Sequence, residues 1–319
     1  MVLSICIPNF NRAKCLNNCL NSILISKLKS EINFEVCVSD NNSSENIEKI
    51  IEKFNSKLNI KFNRNKKNLG LGQNILNAVS MASGEFVWML GNDDLLLPES
   101  LSTIDRLIKK NQDVDFFFVN SYNYNSKLVL DAPQPFDTKN LPVKMESFSK
   151  VKKDKILNFF DLINPKISYD FLLGIYLSVF RKKNWDQNLS LPNKKDLDKD
   201  GLYSTFDNTC PYIKIFSKGF GNSKAYVCAK PMSVNLYGER EWVSLYEFIE
   251  IVRIPEVLDV YRKDGLKLYQ YLLCKNFALR NFMNYFLKCF LIKMKVVINI
   301  LIIKNILLKI YFFRTCIYL

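Results

Sequence analysis

The chain has 319 residues, with 45 Lys and Arg, 31 Asp and Glu and no histidine, so its formal charge at pH 7 is +14. The absence of histidine excludes a Ser-His-Asp triad, a Cys-His pair, a His-ligated zinc and a histidine general base. Acid–base chemistry therefore falls to Asp, Glu, Lys, Tyr or Cys.

The first 120 residues alternate between short apolar runs, which predict buried strands, and amphipathic segments, which predict helices. The predicted order is a strand over Leu3–Pro8, a helix over Ala13–Leu28, a strand over Phe34–Ser39, a helix capped by Ser44, a strand over Ile60–Asn63, a helix opened by Gly70-Leu71-Gly72, a strand over Phe86–Leu90, a helix over Pro98–Lys110 and a strand over Asp115–Asn120. This order predicts an α/β fold with a mostly parallel sheet and helices on both faces.

The pattern is looser after Tyr124. Prolines and polar residues over 125–170 predict an insertion or lid with one helix near Ser149–Ile163. The later predicted elements are a strand over Gly174–Arg181, a loop over Leu189–Asp200, a helix over Tyr203–Lys218 interrupted by Pro211, and helix from Glu241 almost to the end.

Most of the excess charge lies in the last fifth of the chain. From Tyr261 to Leu319 there are 11 Lys and Arg and one acid, Asp264, for a net charge of +10 in a segment rich in Leu, Ile and Phe. Basic and apolar residues together favour an anionic membrane surface over nucleic acid. The longest charge-free run, Val296–Ile303, is far shorter than the roughly 20 residues that span a bilayer. The alternative is a helix pair packed on the rest of the chain or on a second copy, as a homodimer.

The nine cysteines are scattered without a C-x-x-C pair, which favours reduced structural thiols in a cytoplasmic protein over a metal site. The N-terminal residues lack the basic and long apolar regions of a signal peptide. We therefore expect a cytoplasmic protein, peripheral at the inner face of the cell membrane.

Polar residues cluster where the predicted strands end. Pro8–Arg12 follow the first strand, Ser39–Ser44 follow the second, Asn68–Gly72 lead into the third helix, and Gly91–Asp94 follow the fourth strand. Because ligands of such sheets bind beyond the carboxyl ends of the strands, these segments should converge on one cleft. Amide donors, a flat aromatic ring and adjacent carboxylates suit a nucleoside diphosphate bound with a divalent metal.

These segments resemble the family 2 glycosyltransferases, which have the Rossmann-like GT-A fold. The matching motifs are Leu3–Arg12, Val38–Ser44, Asn65–Gly70 and Ala82–Pro98. Each motif alone is weak, but four in the family's order and spacing are specific. The variants resemble most the subgroup that builds bacterial O-antigen, lipooligosaccharide and capsule.

The resemblance implies roles at the base end of the donor nucleotide. Pro8, Phe10 and Arg12 would line this end. Asp40 and Asn41 would hydrogen-bond the base, which is usually uracil in this family. Asn41 departs from the family, which often has a second carboxylate at this position.

The resemblance also implies roles around the diphosphate. Asn68 and Gly70 would lie against the nucleotide, and Asn92-Asp93-Asp94 occupies the family's DXD position. Asp93 would contact the ribose or the donor sugar, and Asp94 would bind Mn²⁺ or Mg²⁺ between the two phosphates. Asn92 stands where the family often has Asp, so metal binding would depend mainly on Asp94.

An inverting transfer also needs a base that deprotonates the acceptor hydroxyl. The resemblance implies a carboxylate at the start of a helix in the second half of the chain. The candidates are Asp196, Asp198, Asp200 and Asp207. We favour Asp207 because an aromatic residue precedes it and an apolar helix follows, whereas the other three lie in a Lys-rich run that predicts a solvated loop.

The sequence therefore predicts a metal-dependent inverting glycosyltransferase that uses a nucleotide-diphosphate sugar, with a UDP-sugar favoured, and a lipid-linked or cell-surface glycan acceptor. Residues 1–125 would form the nucleotide-sugar-binding half, 126–240 the acceptor-binding half with its lid, and 241–319 a basic helical extension that associates with membrane. The alternative is a non-catalytic membrane- or nucleic-acid-binding protein on the same fold. The donor sugar, acceptor, linkage and oligomeric state stay open.

Overall fold

The structure is a computed structural model that describes residues 1–201, 203–238 and 241–291. The part of the predicted C-terminal extension beyond Leu291 lies outside the described residues. Within the described ranges, no helix combines the length and the apolar character needed to cross a membrane.

The strands form one mixed sheet. They are β1 (Leu3–Asn9), β2 (Phe34–Asp40), β3 (Ile60–Arg64), β4 (Phe86–Met89), β5 (Leu95–Leu96), β6 (Val114–Asn125), β7 (Glu146–Ser147), β8 (Lys155–Asn158), β9 (Ser178–Arg181) and β10 (Lys224–Tyr237). The order across the sheet is β3-β2-β1-β4-β9-β6-β10-β5, while β7 pairs with β6 and β8 pairs with β10. Strands β3, β2, β1 and β4 are parallel, and β9 is antiparallel to both β4 and β6.

The helices connect these strands and extend beyond them. They are α1 (Ala13–Lys27), α2 (Ile47–Asn55), α3 (Leu71–Ser80), α4 (Ser100–Lys110), α5 (Ser126–Leu130), α6 (Lys182–Asp186), α7 (Lys194–Leu197), α8 (Phe206–Thr209), α9 (Pro211–Phe220), α10 (Tyr246–Phe248), α11 (Ile254–Asp264), α12 (Leu268–Ala278) and α13 (Phe282–Leu291).

The connections between the parallel strands confirm the predicted fold class. The chain steps from β1 to β2 to β3 in one direction across the sheet and then returns to β4 on the other side of β1. Because such crossovers are right-handed, α1 and α2 lie on one face and α3 lies on the other. The point where the direction reverses lies between β1 and β4, and ligands bind at such switch points.

A cluster of aromatic rings joins the second half of the sheet to α9. The Phe116 ring on β6 lies 5.1 Å from the ring of Phe216 on α9 and 5.4 Å from the ring of Phe220, both edge to face. Such pairs contribute about 0.5–1.5 kcal/mol each beyond their buried area. The aromatic residues therefore fix α9, and with it α8, relative to the sheet.

Several local predictions were wrong or incomplete. Helix α2 is capped by Asn46, whose side chain accepts a hydrogen bond from the Lys49 N–H. Ser44, the predicted cap, instead donates to the Asn11 side chain through its N–H and hydroxyl. The segment predicted as a helix near 149–163 contains β8, and β10 was not predicted. These two strands pair with each other, and a local pattern does not reveal a partner about seventy residues away.

The buried carboxylate of Glu35 stabilises the start of β2. Burial by itself would raise its pKa, but donors from the Ser83 backbone, the Ser4 hydroxyl and Lys61 outweigh burial and lower the pKa to about 2. A lowered carboxyl pKa stabilises the folded state above the unfolded pKa, and this contribution is lost as the pH falls through the folded pKa.

We expect Glu35→Gln to lower the free energy of unfolding by about 3 kcal/mol at pH 7, because a pKa shift of one unit corresponds to about 1.4 kcal/mol. The difference in the free energy of unfolding between wild type and the variant should shrink as the pH falls from about 4.5 to about 2. Urea unfolding at several pH values measures both effects. Glu99→Gln is the control, because Glu99 forms an exposed ion pair with Lys29 and should change stability by less than about 1 kcal/mol. Equal losses for the two variants would contradict this account.

Candidate functional site

The loops that follow β1, β2 and β4 are joined by buried polar side chains. Asn9 Nδ2 donates to Asp40 Oδ1 at 2.9 Å, and Asn92 Nδ2 donates to Asn9 Oδ1 at 2.7 Å. All three side chains are buried. An ionised Asp40 only accepts, so Asn9 must turn its nitrogen to Asp40 and its oxygen to Asn92. Asn92 must then donate, which gives a physical reason for an amide where the family often has Asp.

Asp40, predicted to contact a base, is fully buried. Besides Asn9, its carboxylate accepts hydrogen bonds from the Ser43 N–H, at 3.1 Å, and from the Ser43 hydroxyl. Arg64 Nε lies 3.6 Å from Asp40 Oδ2. A hydrogen bond donated by a base to the Asp40 carboxylate would have to displace one of these contacts. In the structure Asp40 holds the loop after β2 and orients Asn9.

Asn41, also predicted to contact a base, shapes the neighbouring loop. Its Nδ2 donates to Asn68 Oδ1 at 2.7 Å and to the Gly70 carbonyl at 3.2 Å. Its Oδ1 accepts from Asn65 Nδ2 at 3.1 Å and from the Leu69 N–H at 2.9 Å. A side-chain amide has two donors and an oxygen with two lone pairs, so the full capacity of Asn41 is used. An aspartate could not donate to the Gly70 carbonyl, which explains the departure from the family.

The loop that Asn41 holds leads into α3. Gly70 precedes the helix with φ of 81°, which glycine adopts without strain. A Cβ on Gly72 would lie 2.5 Å from the carbonyl oxygen of Asp207. The absence of a side chain at Gly72 therefore allows α8 to pack against the first turn of α3. This contact brings the second half of the chain next to Asn68 and Gly70.

Several side chains near the carboxyl ends of the parallel strands are accessible to solvent. Pro8 and Phe10 are partly exposed, and Asn68 is exposed. Arg12 Nη1 lies 3.0 Å from Asp93 Oδ2, and the two side chains are 22% and 15% exposed. This ion pair joins the loops after β1 and β4. The residues available to a nucleotide are therefore Pro8, Phe10, Arg12, Asn68 and Asp93.

Asp94 is held rigidly at the end of β4. Its Oδ2 accepts the Gly91 N–H at 2.9 Å, and its Oδ1 accepts Asn235 Nδ2 at 2.8 Å. A Cβ on Gly91 would lie 2.6 Å from Asp94 Oδ2, so a side chain there would displace the Asp94 carboxylate. The side chain is 1% exposed.

The residues at this edge fit a metal ion that binds together with a diphosphate. In the described part of the chain, no three His, Cys, Asp or Glu side chains converge as a metal site would require. The carboxylates available are those of Asp94 and its neighbour Asp93. Mg²⁺ and Mn²⁺ accept such a small protein donor set, because Mg²⁺ keeps several waters and binds substrate phosphates through one or two carboxylates.

Asp207 lies in α8, beside the loop that leads into α3. Its Oδ2 accepts Lys214 Nζ at 2.6 Å and the Asn193 N–H at 2.7 Å. Its Oδ1 is buried and has no hydrogen-bond partner. Of the other candidates, Asp198 and Asp200 are exposed. Only Asp207 among the four candidates is thus fixed next to the Gly70–Gly72 turn.

The sequence analysis assigned no role to three residues at this edge, which are Asn9, Asn74 and Asn235. Asn74 of α3 donates from Nδ2 to the carbonyl of Asn9 at 3.3 Å and to the carbonyl of Ser39 at 3.1 Å. Asn9 and Asn235 form the contacts described above. Asparagine in a helix or strand has no distinctive spacing, so only the unusual number of asparagines at the strand ends could have signalled this network.

We expect Asn92→Asp to lower the free energy of unfolding by about 1–3 kcal/mol, because the introduced carboxylate cannot donate to Asn9 and leaves two buried acceptors facing each other. Chemical denaturation at pH 7 measures the loss. The difference in the free energy of unfolding between wild type and the variant should become smaller toward pH 4, because a protonated carboxyl group at position 92 can donate a hydrogen bond to Asn9. A loss that is absent at pH 7, or that does not change with pH, would contradict the hydrogen-bond chain.

Known proteins resemble this chain in sequence. The family model described as "Glycosyl transferase family 2" matches residues 4–167, just over half of the chain. The abequosyltransferase RfbV of Salmonella typhimurium is 36% identical over 53 residues, which are 17% of this chain and 16% of RfbV. The chain thus matches only a small part of the length of this curated relative.

Solved structures share the fold. The structure of TarS 1–349 of S. aureus in complex with UDP-GlcNAc superposes with a TM-score of 0.61 at 19% identity, over 92% of this chain and 76% of that one. The mannosyltransferase PcManGT of Pyrobaculum calidifontis, in complex with GDP-Man and Mn²⁺, superposes with a TM-score of 0.53 at 12% identity, over 98% of this chain and 82% of that one.

Proposed function

The chain belongs to glycosyl transferase family 2, and from this premise we propose that it is a metal-dependent, inverting glycosyltransferase. The donor is a nucleotide-diphosphate sugar, with a UDP-sugar favoured, and the acceptor is a lipid-linked or cell-surface glycan of the O-antigen, lipopolysaccharide or capsule type. The observation that carries the proposal is the Asp93-Asp94 pair, fixed at the switch point of the sheet with Arg12 ion-paired to Asp93.

The nucleotide lies along the carboxyl ends of the strands. Phe10 and Pro8 offer apolar surface to the base, and the exposed side chain of Asn68 lies against the nucleotide. Arg12 pairs with Asp93 of the DXD position, so we assign it to the diphosphate instead of the base end, since a guanidinium binds phosphate oxygens well. Asp93 contacts the ribose or the donor sugar. Asp40 and Asn41 contribute by holding these loops in place.

Asp94, with its neighbour Asp93, would hold Mn²⁺ or Mg²⁺, which stabilises the negative charge that develops on the leaving diphosphate. The acceptor hydroxyl attacks the anomeric carbon from the side opposite the leaving group. The new glycosidic bond forms as the bond to the diphosphate breaks, and the configuration at the anomeric carbon inverts.

Asp207 is the base in this proposal. Lys214 and the Asn193 N–H keep Oδ2 occupied. The unpartnered Oδ1 is the atom that takes the hydroxyl proton. A buried oxygen without a partner costs about 1–3 kcal/mol, so an acceptor hydroxyl that donated to Oδ1 would recover this cost.

The C-terminal helices α12 and α13 would bring the enzyme to its acceptor at the cytoplasmic face of a membrane. Residues 265–291 contain no acid and four basic residues. Their exposed apolar side chains are Leu268, Tyr269, Leu273, Met283 and Leu287. Basic and apolar groups together suit an anionic lipid surface. Co-sedimentation with anionic but not zwitterionic vesicles would support this proposal, and a salt-insensitive homodimer that binds neither would contradict it.

A screen of nucleotide sugars tests the proposed function. UDP- and GDP-sugars are incubated with the full chain and Mn²⁺, release of the free nucleotide is measured, and the active donor is then offered to glycan and lipid-linked acceptors. We expect one class of donor to be hydrolysed slowly and transferred faster once an acceptor is present. No release from any donor, together with salt-sensitive binding of RNA or DNA, would favour a non-catalytic binding protein.

A further inference from the structure

The structure assigns to Asn235 the role of positioning residue for Asp94, and we propose that its side-chain amide orients the Asp94 carboxylate toward the metal ion. This inference rests on the proposed function. Asn235 lies 141 residues from Asp94 in sequence, yet its Nδ2 donates to Asp94 Oδ1 at 2.8 Å, and both side chains are buried.

The path of β10 explains how Asn235 reaches Asp94. Strand β10 pairs antiparallel with β5, with Val234 opposite Leu95, so the next residue along β10 lies beside the residue that precedes Leu95. The register of β10 against β6 shifts between Cys228 and Ser233. Such irregularities redirect side chains near functional sites. The shift sets the register of the segment that carries Asn235.

The neighbours of Asn235 fix its side chain. Val234 and Leu236 pack with Leu95 in a small apolar cluster. Side chains alternate across a strand, so Asn235 points to the opposite face, where Asp94 lies. Apolar packing on one face thus holds the amide on the other.

The chemistry of the amide suits this position. Asn235 and the Gly91 N–H each donate to a different oxygen of Asp94. A lysine or arginine at 235 would neutralise Asp94 and compete with the metal, whereas an amide orients the carboxylate without adding charge. Residues that orient a ligand in this way typically affect metal affinity about 10–100-fold.

Nucleotide binding as a function of Mn²⁺ concentration tests the inference. We expect Asn235→Ala to raise the Mn²⁺ concentration that gives half-maximal binding of UDP or GDP by about 10–100-fold. Excess Mn²⁺ should restore binding, which would not occur if the substitution merely damaged the fold. Asn111→Ala is the matched control, because Asn111 is about as buried as Asn235 and its Nδ2 donates to the Leu107 carbonyl at the C-terminal end of α4.

A second variant keeps the test decisive if Asn235→Ala does not fold. Asn235→Asp has the same size but places a second carboxylate beside Asp94. We expect it to melt at a lower temperature than wild type without Mn²⁺ and to gain more in melting temperature from Mn²⁺. Provided that wild type binds nucleotide with Mn²⁺, two results would overturn the inference. One is an Asn235→Ala variant that reaches half-maximal nucleotide binding at the wild-type Mn²⁺ concentration. The other is an Asn235→Asp variant whose melting temperature rises with Mn²⁺ by the same amount as that of wild type. A wild type that needs no Mn²⁺ would instead contradict the proposed function.

Discussion

Replacing Asp94 by alanine should lower kcat/KM for sugar transfer by at least about 10³-fold, because a bound metal contributes several kcal/mol of charge stabilisation and about 1.4 kcal/mol corresponds to tenfold in rate. The same substitution should remove the effect of Mn²⁺ on nucleotide affinity. Initial-rate kinetics with the active donor measure the first effect, and calorimetry with and without Mn²⁺ measures the second.

The control for this prediction is Asp113→Ala. Asp113 is exposed and pairs with Lys224 on the surface, so its loss should leave both measurements within about twofold of wild type. The thermal melting curve of each variant shows whether it is folded. If Asp94→Ala retained metal-dependent transfer, the assignment of the metal to this position would be wrong.

Replacing Asp207 by asparagine should lower kcat by about 10²–10⁴-fold, the usual contribution of a general base. The substitution keeps the size of the side chain and the packing of α8 against Gly72. Donor affinity should therefore change little, and slow hydrolysis of the donor should persist. Steady-state kinetics with donor and acceptor varied separately distinguish the loss of kcat from a change in binding.

Asp198→Asn is the matched control for Asp207→Asn, because Asp198 is an exposed candidate of the same chemistry. We expect it to transfer at the wild-type rate. A large loss in Asp198→Asn with little loss in Asp207→Asn would move the base into the loop that follows α7. The buried environment of Asp207 would then be purely structural.

The first half of the fold could be predicted well because strands β1, β2 and β4 are short, buried runs of mostly apolar residues. Strands β1, β2 and β4 end within one residue of their predicted limits. The polar residues that end each run also mark the ligand edge of a parallel sheet. The location of the candidate site therefore follows from local pattern alone.

The second half could be predicted less well because its pairings are long-range. Strand β8 is stabilised by pairing with β10. The sequence periodicity of neither segment indicates the strand with which it pairs. The same limit hid Asn235, a single asparagine within β10. Only the folded register of that strand shows that it reaches Asp94.

The individual roles at the site could be predicted only in part. The resemblance placed Asp40 and Asn41 against the base, whereas the structure uses their hydrogen-bonding groups to hold the surrounding loops. Sequence gives the residue type and its position along the chain, but not which donors a buried group has already engaged. The departures at Asn41 and Asn92 become understandable only when those donors are counted.

The most direct test of the central claim is calorimetric titration of UDP and GDP into the wild-type chain, with Mn²⁺ and with a chelator. We expect one of the two nucleotides to bind at least about tenfold more tightly with Mn²⁺, because Asp94 would hold the ion, which would neutralise charge on the diphosphate. Equal affinity with and without Mn²⁺ for both nucleotides, or no binding of either, would contradict a metal-dependent nucleotide-sugar site at the ends of β1, β2 and β4.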